Sequence, residues 1–327
     1  LDIAEKRKPQ DSRISYSFIN KNIDIRVAII PTTYGEKIVL RILGSSMGKD
    51  IPDLKNLNLS KNNYILAQKI ISSPNGIFFI TGPTGSGKTT TLFSMLKYLN
   101  KPEINILTIE DPVEYKLKGI NQVQVNKKVG LDFSTALRSF LRLDPDVILI
   151  GEIRDVETAK IASQAALTGH LVLATMHTNS SLQAVTRLIE IGVEPFLVAP
   201  SLIGVMAQRL VRKICDNCKE KYSVSKEELE NYFSIDTEYK NIYFYKGKGC
   251  HYCNNSGYKG RVAIHETLVI NEELRRLIAR DASSLDLEQE AYGRGFKSMW
   301  YDGLKKVLTG LTTIDEVKRV INTEMIE

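Results

Sequence analysis

Several things are scarce in this sequence of 327 residues, and each scarcity closes off a class of protein. There are four cysteines, one tryptophan and ten prolines. Four cysteines in a chain this long argue against a secreted disulfide scaffold, which needs a dense cysteine framework in a small domain. No apolar run approaches the ~20 residues that span a bilayer as a helix. The first ten residues, LDIAEKRKPQ, hold no apolar signal core. There is no internal repeat and no low-complexity tract. Charge of one sign is not in large excess. The formal net charge is +6, and Lys and Arg are spread along the chain, which permits acidic partners without indicating nucleic acid. No basic stripe with interleaved aromatics appears, so no nucleic-acid path is expected.

What is present is globular. Hydrophobic residues make up 43% and charged residues 25%, enough to bury a sizeable core over two or three domains. Leu1 is not an initiator methionine, and an upstream domain is expected on that ground.

Residues 13–43 read as β-rich. Ile23, Ile25, Val27 and Ile29 alternate with Asp24, Arg26 and Ala28, and Ile38, Leu40 and Ile42 resume the period after a turn at Pro31 to Gly35. Residues 45–60 are rich in Gly, Ser, Asn and Pro and are expected to be a linker. From 61 to 211, apolar runs at Ile77–Ile80, Ile104–Ile109, Val147–Ile150 and Leu171–Ala174 alternate with amphipathic helices. One helix carries Leu92, Met95, Leu96 and Leu99, and another Ile161, Ala162, Ala165 and Ala166 with Gly169 as its C-terminal cap. Strands alternating with helices imply an α/β fold with a parallel sheet covered on both faces. Residues 212–262 hold the cysteines. Residues 263–327 read as helical, with Thr313 and Glu316 as a capping-box pair.

The strongest motif is Gly82-Pro83-Thr84-Gly85-Ser86-Gly87-Lys88-Thr89, a match to G-x-x-x-x-G-K-[ST] between the strand GIFFIT and a helix. Its glycines let backbone amides wrap phosphates at a helix N-terminus. Lys88 is expected to reach the β- and γ-phosphates of ATP, with Thr90 beside it and Thr89 as a Mg²⁺ ligand. Glu152 ends the apolar strand after Asp146, where a carboxylate meets the crevice of an open α/β sheet, and is the candidate base for water. Gly151 stands where a Walker B acid would. Glu110 and Asp111, after another strand, are candidate Mg²⁺ ligands, although Asp111 also reads as a turn residue set by Pro112. His177 is placed to sense the γ-phosphate or steady Glu152. His170 reads equally as structural. Arg138 and Arg142 share one helix face, towards a neighbouring subunit, nucleotide or solvent.

Cys215-x-x-Cys218 and Cys250-x-x-Cys253, 31 residues apart, offer four thiolates, a set that suits tetrahedral zinc. His251 is surplus to that set.

GPTGSGKTTTL, TIEDPVEY, LDPDVILIGEIRD and AALTGHLVLATMHTN together resemble the Walker A, Asp box, Walker B and His box of the type II secretion and type IV pilus assembly ATPases. The resemblance runs over nearly the whole chain. It implies a RecA-like ATPase domain (61–211) and a small PAS-like N-terminal domain (1–44). It also implies a zinc-binding tetracysteine module (212–262) and a C-terminal helical subdomain (263–327). By motif Arg13 and Arg26 resemble the family's nucleotide-sensing arginines, with Ser12 standing where the family has Gly, and Arg209 resembles another. The resemblance further implies a cytoplasmic homohexamer on the inner face of the membrane. It would act on a polytopic platform protein to drive pilin or pseudopilin polymerisation, in pilus extension, type II secretion or a DNA-uptake pseudopilus. Retraction ATPases resemble the four boxes without the tetracysteine insert. The principal competing reading is a DNA-translocating or helicase-like motor.

Overall fold

Period-2 burial in the strand Gly76–Thr81 sets the layout of the molecule. Ile77 and Phe79 point into one apolar layer, Phe78 and Ile80 into the other, and all four are buried. A strand with two apolar faces needs a cover on each side, and the helices supply it. The computed structural model describes residues 1–18, 21–45, 51–225, 229–230, 232 and 242–321. At 13, 17, 18, 21, 22, 24 and 43–45 it describes the backbone alone.

The N-terminal part is an antiparallel sheet of β1 (Gln10–Phe18), β2 (Lys21–Thr32) and β3 (Gly35–Ser45). The expected alternation is there, but Val27 is the residue it buries, while Ile38, Leu40 and Ile42 are exposed. The expected linker is only partly a linker. Residues 46–50 lie outside the described residues, and Ile51 and Leu54 are buried in the core. Ser60 then caps α1 (Lys61–Ile71) by accepting from the Asn63 amide.

The central sheet takes β4 (Gly76–Thr81), β5 (Ile106–Glu110), β6 (Asn121–Gln124), β7 (Val147–Ile150), β8 (Leu171–Met176), β9 (Leu202–Ile214) and β12 (Tyr258–Val269) in the order β12-β9-β4-β8-β7-β5-β6. Every pairing is parallel except β12 with β9. Helices α1 and α2 (Lys88–Leu99) cover one face. The other is covered by α3 (Phe133–Phe140), α4 (Val156–Leu167), α5 (Ser181–Glu190), α6 (Pro195–Ser201), α7 (Glu272–Ala279) and α8 (Ser284–Gly293).

The cysteine-bearing stretch is an excursion between two paired strands. β9 crosses the 211/212 division and β12 the 262/263 division, so both belong to the central sheet. Between them lies the hairpin of β10 (Lys219–Ser223) and β11 (Tyr243–Gly247), whose Phe244 packs with Val307, Ile314 and Val317. Those come from α9 (Met299–Leu308) and α10 (Ile314–Val320). Residues 322–327 lie outside the described residues.

The expected capping box at α10 is half made. Thr313 accepts from the Glu316 amide, but the Glu316 carboxylate turns to Arg212 and Arg319 instead. Burial alone would raise this carboxyl, yet the bonds from Arg319 and Arg212 bring it to about 2.

Candidate functional site

Because β4, β8, β7 and β5 run parallel and adjacent, their C-terminal ends share one edge of the sheet. Thr81 pairs with Met176, Ile150 with Ala174 and Ile109 with Ile150. The residues that follow are Gly82, His177, Gly151-Glu152 and, at the end of β5, Glu110. His177 therefore emerges between the glycine loop and Glu152. His170 leaves the opposite edge. Its Nδ1 lies 2.8 Å from the Ala165 carbonyl, just past α4, where Gly169 with φ +111° ends the helix as expected.

The loop 82–87 is wrapped tightly on itself. Gly82 has φ +145°, and a Cβ there would lie 2.3 Å from the Gln208 carbonyl oxygen, so only glycine fits. Gly87, also at positive φ, caps α2. Thr84 and Gly85 are exposed at the tip, Ser86 is buried, and Thr89 and Thr90 lie half-buried in the first turn of α2. Lys88 folds back, donating from Nζ to the carbonyls of Gly82 at 2.6 Å and Pro83 at 3.1 Å. Burial pulls its ammonium below the ordinary value while the charge of Glu152 opposes this.

Gln208 escapes a sequence reading. It is buried in β9, donates to the Ser86 carbonyl at 2.7 Å, and accepts from the Thr91 hydroxyl at 2.7 Å. It ties the loop to the helix that follows. The only sequence signal is a lone amide in an otherwise apolar run, GVMAQ.

Glu152 is sheltered, its side chain 14% exposed, with Oε2 2.6 Å from Arg154 Nε and 3.6 Å from His177 Nε2. Burial depresses His177, and Lys88 and Arg154 add to this against the pull of Glu152, so the ring is neutral near pH 7. Gly151 has a steric reason. A Cβ there would lie 3.2 Å from the Ile109 carbonyl and 3.3 Å from the Glu110 Cα, leaving little room for an acid. Glu110 is buried and accepts from Thr108 Oγ1 at 2.7 Å and Gln122 Nε2 at 3.1 Å. Burial raises its carboxyl. Asp111 is exposed and precedes a cis peptide bond to Pro112.

Arg26 donates to Asp11, with Nη2 2.8 Å from Oδ2, and feels the charges of Asp111 and Glu114. Arg13 lies directly across from it on β1, its side chain outside the described set. Ser12 sits within the regular strand. Arg138 pairs with Glu157 and Arg142 reaches Ser139. Arg209 bonds the Val320 carbonyl and Asn179 Oδ1, linking the end of α10 to the loop after His177.

Just past the C-terminal end of β9, Cys215, Cys218, Cys250 and Cys253 gather with their sulfurs within 4.8 Å of one another. Adjacent Sγ–Sγ distances are 3.7 to 3.8 Å. A tetrahedron of thiolates at ~2.3 Å from zinc has edges of about 3.8 Å, so these residues fit that ion. Burial pushes the Cys218 thiol up to about 12. Burial also opposes ionisation of Cys253, but the Cys250 and Gly257 amides outweigh it and hold the thiol at about 6. His251 is exposed.

The family described as "Type II/IV secretion system protein" matches residues 1–319. The chain is 50% identical over 317 residues to the type IV pilus assembly ATPase PilB of Thermus thermophilus, covering 97% of this chain and 35% of that protein. It is 47% identical over 320 residues to the type II secretion system ATPase E of Vibrio cholerae, covering 98% of this chain and 63% of that one. The chain thus spans about a third of the first relative and under two-thirds of the second. Among solved structures it resembles the pilus retraction motor PilT with bound ADP, with TM-score 0.69 and 28% identity, covering 98% of this chain and 79% of that one. It shares its fold with the ATPase DotB of Legionella pneumophila, with TM-score 0.68 and 23% identity, covering 95% and 77%.

Proposed function

The chain belongs to the type II/IV secretion system protein family, and from that premise we propose that it hydrolyses ATP to drive pilin or pseudopilin polymerisation, working as a homohexameric ring. In this reading β4 to β9 and their helices form a RecA-like ATPase domain, and β1–β3 a PAS-like N-terminal domain. Residues 212–262 form a zinc-binding module and the C-terminal helices a further subdomain. The observation that carries the reading is the placement of Glu152 at the same sheet edge as the glycine loop, beside His177 and within the field of Lys88.

The chemistry follows from that edge. Backbone N–H groups of Thr84 to Thr89 hold the phosphates of ATP, and Lys88 exchanges the Gly82 and Pro83 carbonyls for phosphate oxygens. Thr89 and Thr90 open the helix at the triphosphate, and Thr89, with water, would hold Mg²⁺, which supplies charge neutralisation there. Glu110, its carboxyl raised by burial, supports the edge next to Gly151. Glu152 takes the proton of the attacking water, and neutral His177 steadies it. Arg13 and Arg26 of the N-terminal sheet register the charge of the nucleotide. The four cysteines hold zinc as a structural ion, with no part in hydrolysis.

Closure around the ring would act on a polytopic platform protein at the inner face of the membrane, with the ring on the cytoplasmic side. No described helix is long and apolar enough to cross a membrane. The names of the relatives support both the pilus and the type II secretion settings. The test is Mg²⁺-dependent ATP hydrolysis by the purified chain with and without DNA. Hydrolysis that ignores DNA is the expected result, and hydrolysis that requires DNA favours a translocating motor instead.

A further inference from the structure

The segment between β7 and α4 contains a contact that the hydrolytic scheme leaves unused. Arg154 Nε lies 2.6 Å from Glu152 Oε2, and the two side chains are exposed to very different degrees, 72% and 14%. The carboxylate is sheltered and the side chain that pairs with it is largely in solvent. The oxygen that Arg154 holds is also the one that His177 approaches, at 3.6 Å.

A carboxylate that removes a proton from water works only when one oxygen is aimed at that water. An ion pair to its other oxygen restrains that aim, because the attraction is steep at 2.6 Å. The neighbouring cations are placed unequally for this task. Lys88 spends its ammonium on the loop carbonyls of Gly82 and Pro83. His177 is neutral and more distant. Arg154 alone of these three is both charged and paired with Glu152 at 2.6 Å.

The backbone supports the arrangement from both flanks. On one side the Ile153 amide donates to the Thr175 carbonyl at 3.0 Å, which ties the segment to the strand carrying His177. On the other, Asp155 caps α4, accepting from the Thr158 amide at 2.8 Å and its hydroxyl at 2.9 Å. Arg154 therefore springs from a segment fixed at both ends, and its reach to Glu152 is set by the fold.

We infer that Arg154 is a positioning residue for Glu152, holding Oε2 so that the other carboxylate oxygen faces the attacking water. This role rests on the ATPase reading above.

The experiment compares Arg154→Gln and Arg154→Lys with the parent and with Glu152→Gln, measuring kcat, KM and the Kd of a fluorescent ATP analogue. Arg154 is exposed, so both substitutions leave the fold intact, and thermal unfolding verifies it. The expected result is a kcat for Arg154→Gln lower by about 10- to 100-fold, a share of what a positioned base supplies. Nucleotide Kd stays within about twofold, and Arg154→Lys recovers most of the rate, because the contact is an ion pair whose charge an ammonium also supplies. Gln matches Lys in covering surface but carries no charge, so a merely structural role would treat the two alike. Parent-level kcat in Arg154→Gln, equal loss in both variants, or a loss confined to nucleotide affinity overturns the role. The ATPase reading fails by a different result: no hydrolysis by the parent, or parent-level turnover by Glu152→Gln.

Discussion

Gln208 donates to the carbonyl oxygen of Ser86 across 2.7 Å, joining two residues 122 positions apart in the chain. The amide is fully enclosed, and its oxygen is committed to Thr91. Replacing Gln208 by Ala leaves a buried carbonyl and a buried hydroxyl without partners, at a cost of about 1–3 kcal/mol each if water does not enter. Urea unfolding should register the lost stability, and nucleotide titration should show a several-fold weaker Kd. Unchanged values in both would mean that the loop keeps its shape without the tie.

Asp302 and Lys306 form a buried ion pair at 2.7 Å, with side chains 3% and 6% exposed. Asp302 also accepts from the His265 amide, and Lys306 reaches the Ala263 carbonyl. Lys306→Met strands a buried carboxylate and should cost about 3–5 kcal/mol, while Lys306→Met with Asp302→Leu should recover most of it. Thermal unfolding of the two variants decides the point.

His265 is fully buried, and neither ring nitrogen has a hydrogen-bond partner. Burial and the charge of Lys306 hold it well below its ordinary 6.5, with Asp302 4.0 Å from Nδ1. Its folded value is depressed, so its contribution to stability is complete above pH 6.5 and is lost as pH falls below it. Buried Glu266 and Glu110, raised by burial, act in the opposite sense. The comparison with His265→Leu isolates the histidine. From about pH 8 to about pH 5.5 the parent's urea midpoint should fall further than the variant's.

The tetracysteine cluster should bring about one zinc per chain through purification under reducing conditions. Removing it with a chelator should expose the thiols to labelling and loosen 212–262, while nucleotide affinity stays near the parent value. Metal-free protein with protected thiols would contradict the assignment.

Much of this architecture is legible in the residues, and the physical reason differs by element. The parallel strands β4, β5, β7 and β8 are covered on both faces and so appear as apolar runs. Once they are parallel, the edge that collects Gly82, Glu152 and His177 follows. β9 and β12 are harder to recognise, because their pairing spans the inserted module and a polar pair such as Gln208 and His265 interrupts their apolar pattern. The Glu316 cap fails as an expectation because two arginines, one of them from β9, outcompete the local amide. Arg154 and Gln208 act through contacts that no local spacing reveals, since an exposed arginine and a strand amide look ordinary in sequence. The exposed apolar residues of β3 show the reverse case, where correct alternation does not guarantee burial within one chain.

The most direct measurement is turnover and ATP binding by Glu152→Gln. The substitution keeps the shape of the side chain and removes its capacity to take a proton. The account predicts ATP affinity close to the parent's and a kcat lower by about 10²- to 10⁴-fold. Hydrolysis at the parent rate would contradict it.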